Sequence, residues 1–239
     1  MQRVALFVTC LVDQVMPEIG IATVRLLRAA GCEVVFPEAQ TCCGQPFFNS
    51  GFRPEARRLA ERTIAAFEPF DAVVAPSGSC TTMLRVEYPH LLGDRPGWAH
   101  RARELAAKTY ELSEFLTQVL DWDPPRRVAG VRVAYHDSCH MCRLLGLREP
   151  PRDALRRAGY DLVEMQEPDR CCGFGGLFSV RMPEVSNAMT AEKLAQATDT
   201  GAHVLATADP GCLMQMRGLA RERVRIEHIA TLLAASLEA

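Results

Sequence analysis

The sequence predicts an α/β protein of two tandem, pseudo-equivalent halves, each with a small, mostly parallel sheet flanked by helices. Three observations carry this: the chain repeats itself, short β-branched runs alternate with helical patterns in both copies, and a proline-containing linker separates them. Laid over itself at an offset of 129, the sequence puts Cys10 on Cys139, Cys42 and Cys43 on Cys171 and Cys172, and Gly44 on Gly173. Pro54-Glu55 falls on Pro183-Glu184, and after a three-residue insertion Cys80 pairs with Cys212. The linker is Asp121-Trp122-Asp123-Pro124-Pro125-Arg126-Arg127, whose prolines and charges break regular structure, so the halves are placed at 1–124 and 125–239.

The first element is a buried strand, VALFV, inside MQRVALFVTCLVDQ. That segment has one Arg, meets Asp13 early, and shows neither a small-residue cleavage site nor the length of a membrane span. A helix over about 17–30 follows, with Gly31 as its stop, then the strand EVVF, a helix over 54–67, and the strand AVVAP. The second half repeats this with VRVAY, a helix after Pro150, DLVEM, a helix from Pro183 to about Ala197, and HVLATA. Pro54 and Pro183 suit first-turn helix positions, where a missing N–H costs little. Each half closes on a short strand running into an apolar helix, Tyr110-Glu111-Leu112 to Phe115-Leu116 and Arg225-Ile226-Glu227 to Leu232-Leu233.

Hydrophobic residues make up 48% and charged residues 23%, with a formal net charge of -2, which removes any general electrostatic reason to bind nucleic acid or an anionic membrane. No apolar run reaches the length of a span, so the expected location is the cytoplasm. Ten cysteines in a reducing compartment then call for metal or redox chemistry rather than structural disulfides.

Cys10, Cys80, Cys139 and Cys212 each fall just after a predicted strand, and strand C-termini of an open parallel sheet share one ligand-binding edge. The CCG turns follow the remaining strands, and Gly44 and Gly173 are expected to supply a positive φ that bends neighbouring thiolates toward one centre. Thiolate-rich sites select zinc, Cu(I) or iron-sulfur clusters. Adjacent cysteines crowd a single zinc ion, whose sites draw on C-x2-4-C pairs, whereas the several irons of a cluster accept consecutive thiolates. The candidate ligands are Cys10, Cys42, Cys43 and Cys80 for one centre and Cys139, Cys171, Cys172 and Cys212 for the other. The expected cofactor is an iron-sulfur cluster of the 4Fe-4S kind, one per half, with zinc in one half as the alternative.

The doubled CCG motif, with VTCLVDQVMPEIG, FPEAQTCCGQPFFNSG, APSGSC, YHDSCH, CCGFGGLFSV and ADPGC, resembles the CCG-domain or cysteine-rich-domain family over essentially the whole chain. The resemblance implies an electron-transfer component of a system oxidising L-lactate to pyruvate, an oxidoreductase subunit whose activity alone is doubtful. Its implied partners are a ferredoxin-like iron-sulfur protein and a third lactate-utilization protein. Related domains occur in heterodisulfide reductase, and some members hold zinc at one of two such sites, which keeps open a zinc-binding assembly subunit or a thiol-disulfide redox protein. Where the family motif ends C-x-x-C, this chain has Ser77-Gly78-Ser79-Cys80 and Asp209-Pro210-Gly211-Cys212, four cysteines per half instead of five.

Other residues are assigned plainer parts. Asp209 is read as a loop residue ordering its turn. Cys32, with Tyr160 as counterpart, is read as a buried apolar side chain, and Cys142, with Asp13 as counterpart, as a spare thiol. His136 and His140 flank Cys139 and are the catalytic candidates, with support of the ligands as the other reading. Gly173-Phe174-Gly175-Gly176 lacks the pattern of a dinucleotide fingerprint.

Overall fold

Strands β1 (Arg3–Leu6), β2 (Glu33–Val35), β3 (Ala72–Ala75) and β4 (Thr109–Glu111) form a parallel sheet in the order β2-β1-β3-β4. Strands β5 (Arg132–His136), β6 (Asp161–Val163), β7 (Val204–Thr207) and β8 (Arg225–His228) repeat it as β6-β5-β7-β8. The computed structural model describes residues 2–220 and 224–238. Val4 stands opposite Val34 and Ala72, and Val133 opposite Leu162 and Val204. The inner strands β3 and β7 are buried along their whole length, which is why AVVA and VLAT read as continuous rather than alternating patterns.

Crossover helices form where the sequence places them. Helix Pro17–Ala29 starts on its proline and buries Ile19, Ala22, Thr23, Leu26 and Leu27, a three- and four-residue spacing that makes one apolar stripe. Helices Arg53–Phe67 and Pro183–Asp199 cover the sheets in the same register, each with proline in its first turn. One region was not anticipated. Between Cys80 and β4 the first half carries a helical run over 78–91 and a further helix, Pro96–Ala107, whereas among the described residues the second half has only Pro210–Leu219 before β8.

The halves interlock. Helix Pro17–Ala29 of the first packs on helix Ile229–Ala235 of the second, and helix Glu149–Arg157 of the second packs on the helix over 112–119 of the first. Leu26 and Phe115 therefore share one apolar core with Leu155 and Leu233. Each such side chain contributes about 1.5–3 kcal/mol by leaving water. A second cluster, with Phe7, Ile64, Phe67 and Tyr88, lies entirely within the first half. No helix among the described residues is long and apolar enough to cross a membrane.

Glu111 ends β4 and caps the helix that follows, accepting from the backbone N–H groups of Ser113 and Glu114, while its Oε1 has no partner among the described residues. Burial pushes its carboxyl up from 4.5 to about 7. Because the folded value lies above the unfolded one, its contribution to stability is complete below about pH 4.5 and is lost as pH rises through about 7. Glu111→Gln is expected to match wild type below pH 4.5 and to exceed it at pH 8 by roughly 3 kcal/mol, read as the difference between denaturation midpoints across pH.

Candidate metal centres at the seam between the halves

In each half the site begins at the C-terminal ends of two adjacent central strands. Beyond β1, Thr9 caps the helix Cys10–Gln14, and beyond β3, Ser77 caps Gly78–Thr82 by accepting from the Cys80 N–H at 3.2 Å. Beyond β5, Cys139 leads into the turns His140–Leu144, and beyond β7, Asp209 caps Pro210–Leu219, which carries Cys212 in its first turn. The chain leaves β1 and β3 in opposite directions, which opens a crevice at that sheet edge.

The CCG turns arrive from β2 and β6. Gly44 and Gly173 take φ of 85° and 91°, as expected, and each donates its N–H to the first cysteine of its pair, to Cys42 Sγ and Cys171 Sγ at 3.4 Å. At Gly173 a Cβ would lie 2.4 Å from the Ser186 carbonyl oxygen, so only glycine fits.

The four thiols of each half then meet. Cys43 Sγ lies 3.5 Å from Cys80 Sγ, and the free thiols of Cys10, Cys42 and Cys43 influence one another in succession through thiol hydrogen bonding. Cys139, Cys171, Cys172 and Cys212 interact in the same succession. Two thiols in each quartet are buried and two half-buried, and all are free of disulfides. Hydrogen bonding to Cys42 and burial push the Cys10 thiol up. Cys42, accepting from Cys10 but donating to Cys43 in a buried place, is pushed up to about 11. In the second quartet Cys171 is held well down because it accepts from Cys139, Cys172 and the Gly173 N–H. Such a space cannot ionise all its sulfurs unless a cation neutralises them.

Both quartets open on one cleft of about 210 Å³ between the halves, lined by every one of the eight cysteines except Cys42. Loops from opposite halves lock its floor. Asp209 Oδ2 accepts the Ser79 N–H at 2.7 Å, Gly78 N–H donates to the Ala208 carbonyl, and Thr82 Oγ1 donates to the His140 carbonyl. A Cβ at Gly78 would lie 2.8 Å from Met141 Cβ, so glycine permits this approach. Asp209 thus orders its own turn, as read from the sequence, and also ties the other half's site loop. That second bond had no signal in the sequence, because its donor is 130 residues away.

Of the remaining residues, His140 lines the cleft, with Nδ1 3.6 Å from Cys139 Sγ and Nε2 3.3 Å from Gln45 Nε2 of the first half. His136 is buried behind the second quartet. Cys142 stands 4.0 Å from the Asp137 and Cys139 carbonyl oxygens, apart from the quartet, and Cys32 is in the apolar core. Lys193 is wholly buried and donates to the Glu167 and Pro168 carbonyls, bracing the loop that leads into Cys171; burial lowers it to about 8.

Four soft donors in mutual contact at each sheet edge fit a thiophilic metal ion or a cluster. Fold and site together define a twin-site cysteine protein. The family model described as Cysteine-rich domain matches residues 4–85 and 133–217, and the chain belongs to that family.

Within it, the chain is 50% identical over 235 residues to Lactate utilization protein A of Bacillus velezensis, a match spanning 97% of this chain and 98% of the relative. It is 48% identical over 235 residues to Lactate utilization protein A of Bacillus subtilis, with the same shares covered. Among solved structures, a hypothetical protein from Helicobacter pylori superposes with a TM-score of 0.73 at 10% identity. That match covers 100% of this chain but 49% of the other, and it speaks for the fold alone.

Proposed function

We propose that this chain is the twin-cluster electron-transfer subunit of a system that oxidises L-lactate to pyruvate in the cytoplasm. Each half, 1–124 and 125–239, holds one iron-sulfur cluster, on Cys10, Cys42, Cys43 and Cys80 and on Cys139, Cys171, Cys172 and Cys212. The observation that carries this reading is the pair of thiol quartets facing one cleft, in a chain half identical to a protein named for lactate utilization. A bound cluster supplies one-electron redox chemistry. The protein's own part is to shield two sulfurs of each quartet from water, donate backbone N–H groups to Cys42 and Cys171, and hold the two sites together through the Asp209 bond. Its partners are a ferredoxin-like iron-sulfur protein and a third lactate-utilization protein, which receive or deliver the two electrons lactate gives up.

Zinc in one half is a second reading, favoured by one distance. Two thiolates on a tetrahedral zinc with Zn–S of about 2.3 Å stand about 3.8 Å apart, and Cys43 and Cys80 are 3.5 Å apart. Purification without oxygen, followed by iron, zinc and acid-labile sulfide analysis, decides between them. The expected product is coloured and contains iron and sulfide at both sites. A colourless protein with stoichiometric zinc and no sulfide would replace the redox role with a structural one.

A further inference from the structure

The two quartets match in their sulfurs but not in what stands behind them. His136 ends β5, paired in register with Thr207, and is 1% exposed. Among the described residues neither of its ring nitrogens makes a hydrogen bond of normal geometry, the Pro168 carbonyl standing near the ring, although buried polar side-chain atoms nearly always find a partner. A ring nitrogen of His136 and the sulfurs of Cys172 and Cys212 all lie within 4.8 Å of one another.

The chain carries its own control. The repeat puts Phe7 at the place of His136, directly after β1. Phe7 is fully buried, clusters with Cys43 and Cys80, and packs at a tilt against Phe67, ring centroids 5.4 Å apart. A hydrocarbon ring therefore fills this position when only packing is asked of it. Packing alone gives no reason for an imidazole in the second half, whereas ligation does, because it satisfies a nitrogen that the protein leaves bare. A second difference points the same way. The repeat sets Lys193, with its buried ammonium, where the first half has the buried Ile64.

We propose that His136 is a nitrogen ligand of the second metal centre, joining Cys139, Cys171, Cys172 and Cys212, while the first centre is held by sulfur alone. The inference rests on the reading that the second quartet holds metal. The buried ammonium of Lys193, where the first half has the hydrocarbon side chain of Ile64, makes the second centre the more easily reduced of the two.

The test is isotopic. Full-length protein labelled with 15N in histidine and purified without oxygen is compared with unlabelled protein by pulsed EPR of the reduced centres. A strong nitrogen coupling of a directly bound imidazole is expected, switching from a 14N to a 15N pattern with the label. It should vanish in His136→Phe, which borrows the first half's residue and leaves the first centre's signal unchanged. Only weak coupling, of the size a hydrogen-bonded nitrogen gives, would overturn the proposal. So would a strong coupling that survives in His136→Phe and disappears in His140→Phe. Should the preparation contain no iron or sulfide, the cluster reading fails but this one is still read out, by loading the labelled chain with 113Cd2+. One of two cadmium resonances should then show scalar coupling to histidine 15N, and two resonances without it would overturn the assignment. If His136→Phe does not fold, labelled His140→Phe decides the matter: strong coupling kept there supports His136 as the ligand, and coupling lost there overturns the proposal.

Discussion

Cys171→Ser is expected to leave a folded protein that loads one centre instead of two, and Cys42→Ser to remove the other. In each variant, iron and sulfide should fall to about half of wild type, because metal affinity in such sites depends on a complete set of deprotonated soft ligands. The serine hydroxyl is of similar size but is harder and far less acidic, and Cys171 accepts the Gly173 N–H as well as two thiol hydrogens. Both residues are half-buried rather than embedded in the core, so the metal-free fold should change by no more than about 0.5–1 kcal/mol. Resolving the two centres by EPR in each variant provides the measurement. Cys32→Ser and Cys142→Ser are the controls and should keep both centres, since those sulfurs stand apart from the quartets. Unchanged iron and sulfide in Cys171→Ser would remove that residue from the ligand set.

Arg152→Leu is expected to destabilise the protein by about 3 kcal/mol, at the low end of the 3–5 kcal/mol for breaking a buried ion pair. Arg152 makes a bidentate pair with Asp137, at 2.8 and 2.9 Å, and holds Glu164 with two more bonds. Asp137 is 1% exposed, so removing the guanidinium leaves a carboxylate with little water to turn to. Arg148, 3.9 Å from the same carboxylate, offsets part of the loss and sets the expectation at the low end. Asp137 also follows His136 and donates its N–H to the Pro168 carbonyl, so the damage should reach the second centre first. Chemical denaturation reads the stability. Arg156→Leu, which breaks only an exposed 3.5 Å pair with Glu149, should cost no more than about 0.5 kcal/mol. Equal losses in the two variants would show that the buried network is not special.

Much of this was legible in the chain before folding, and the reason lies in range. Strand, helix and turn signals such as Pro54, Gly31 and the apolar stripe of helix Pro17–Ala29 act over a few residues, and all appear where the sequence puts them. The repeat then doubles every such signal, which brought the weak closing strands β4 and β8 within reach. Helix Pro96–Ala107 escaped because it has no counterpart among the described residues of the second half to reinforce its pattern.

Sequence alone determined the paired α/β architecture and the cysteines grouped four to a half, because both follow from periodicity and spacing along one backbone. Only the tertiary structure decided that the quartets share a cleft, that Asp209 binds the other half's loop, and that His136 stands behind Cys172 and Cys212. Those facts depend on how one packed half seats against the other. That seating is set by side chains such as Leu26 and Leu233, far apart in the chain and brought together only by exclusion of water.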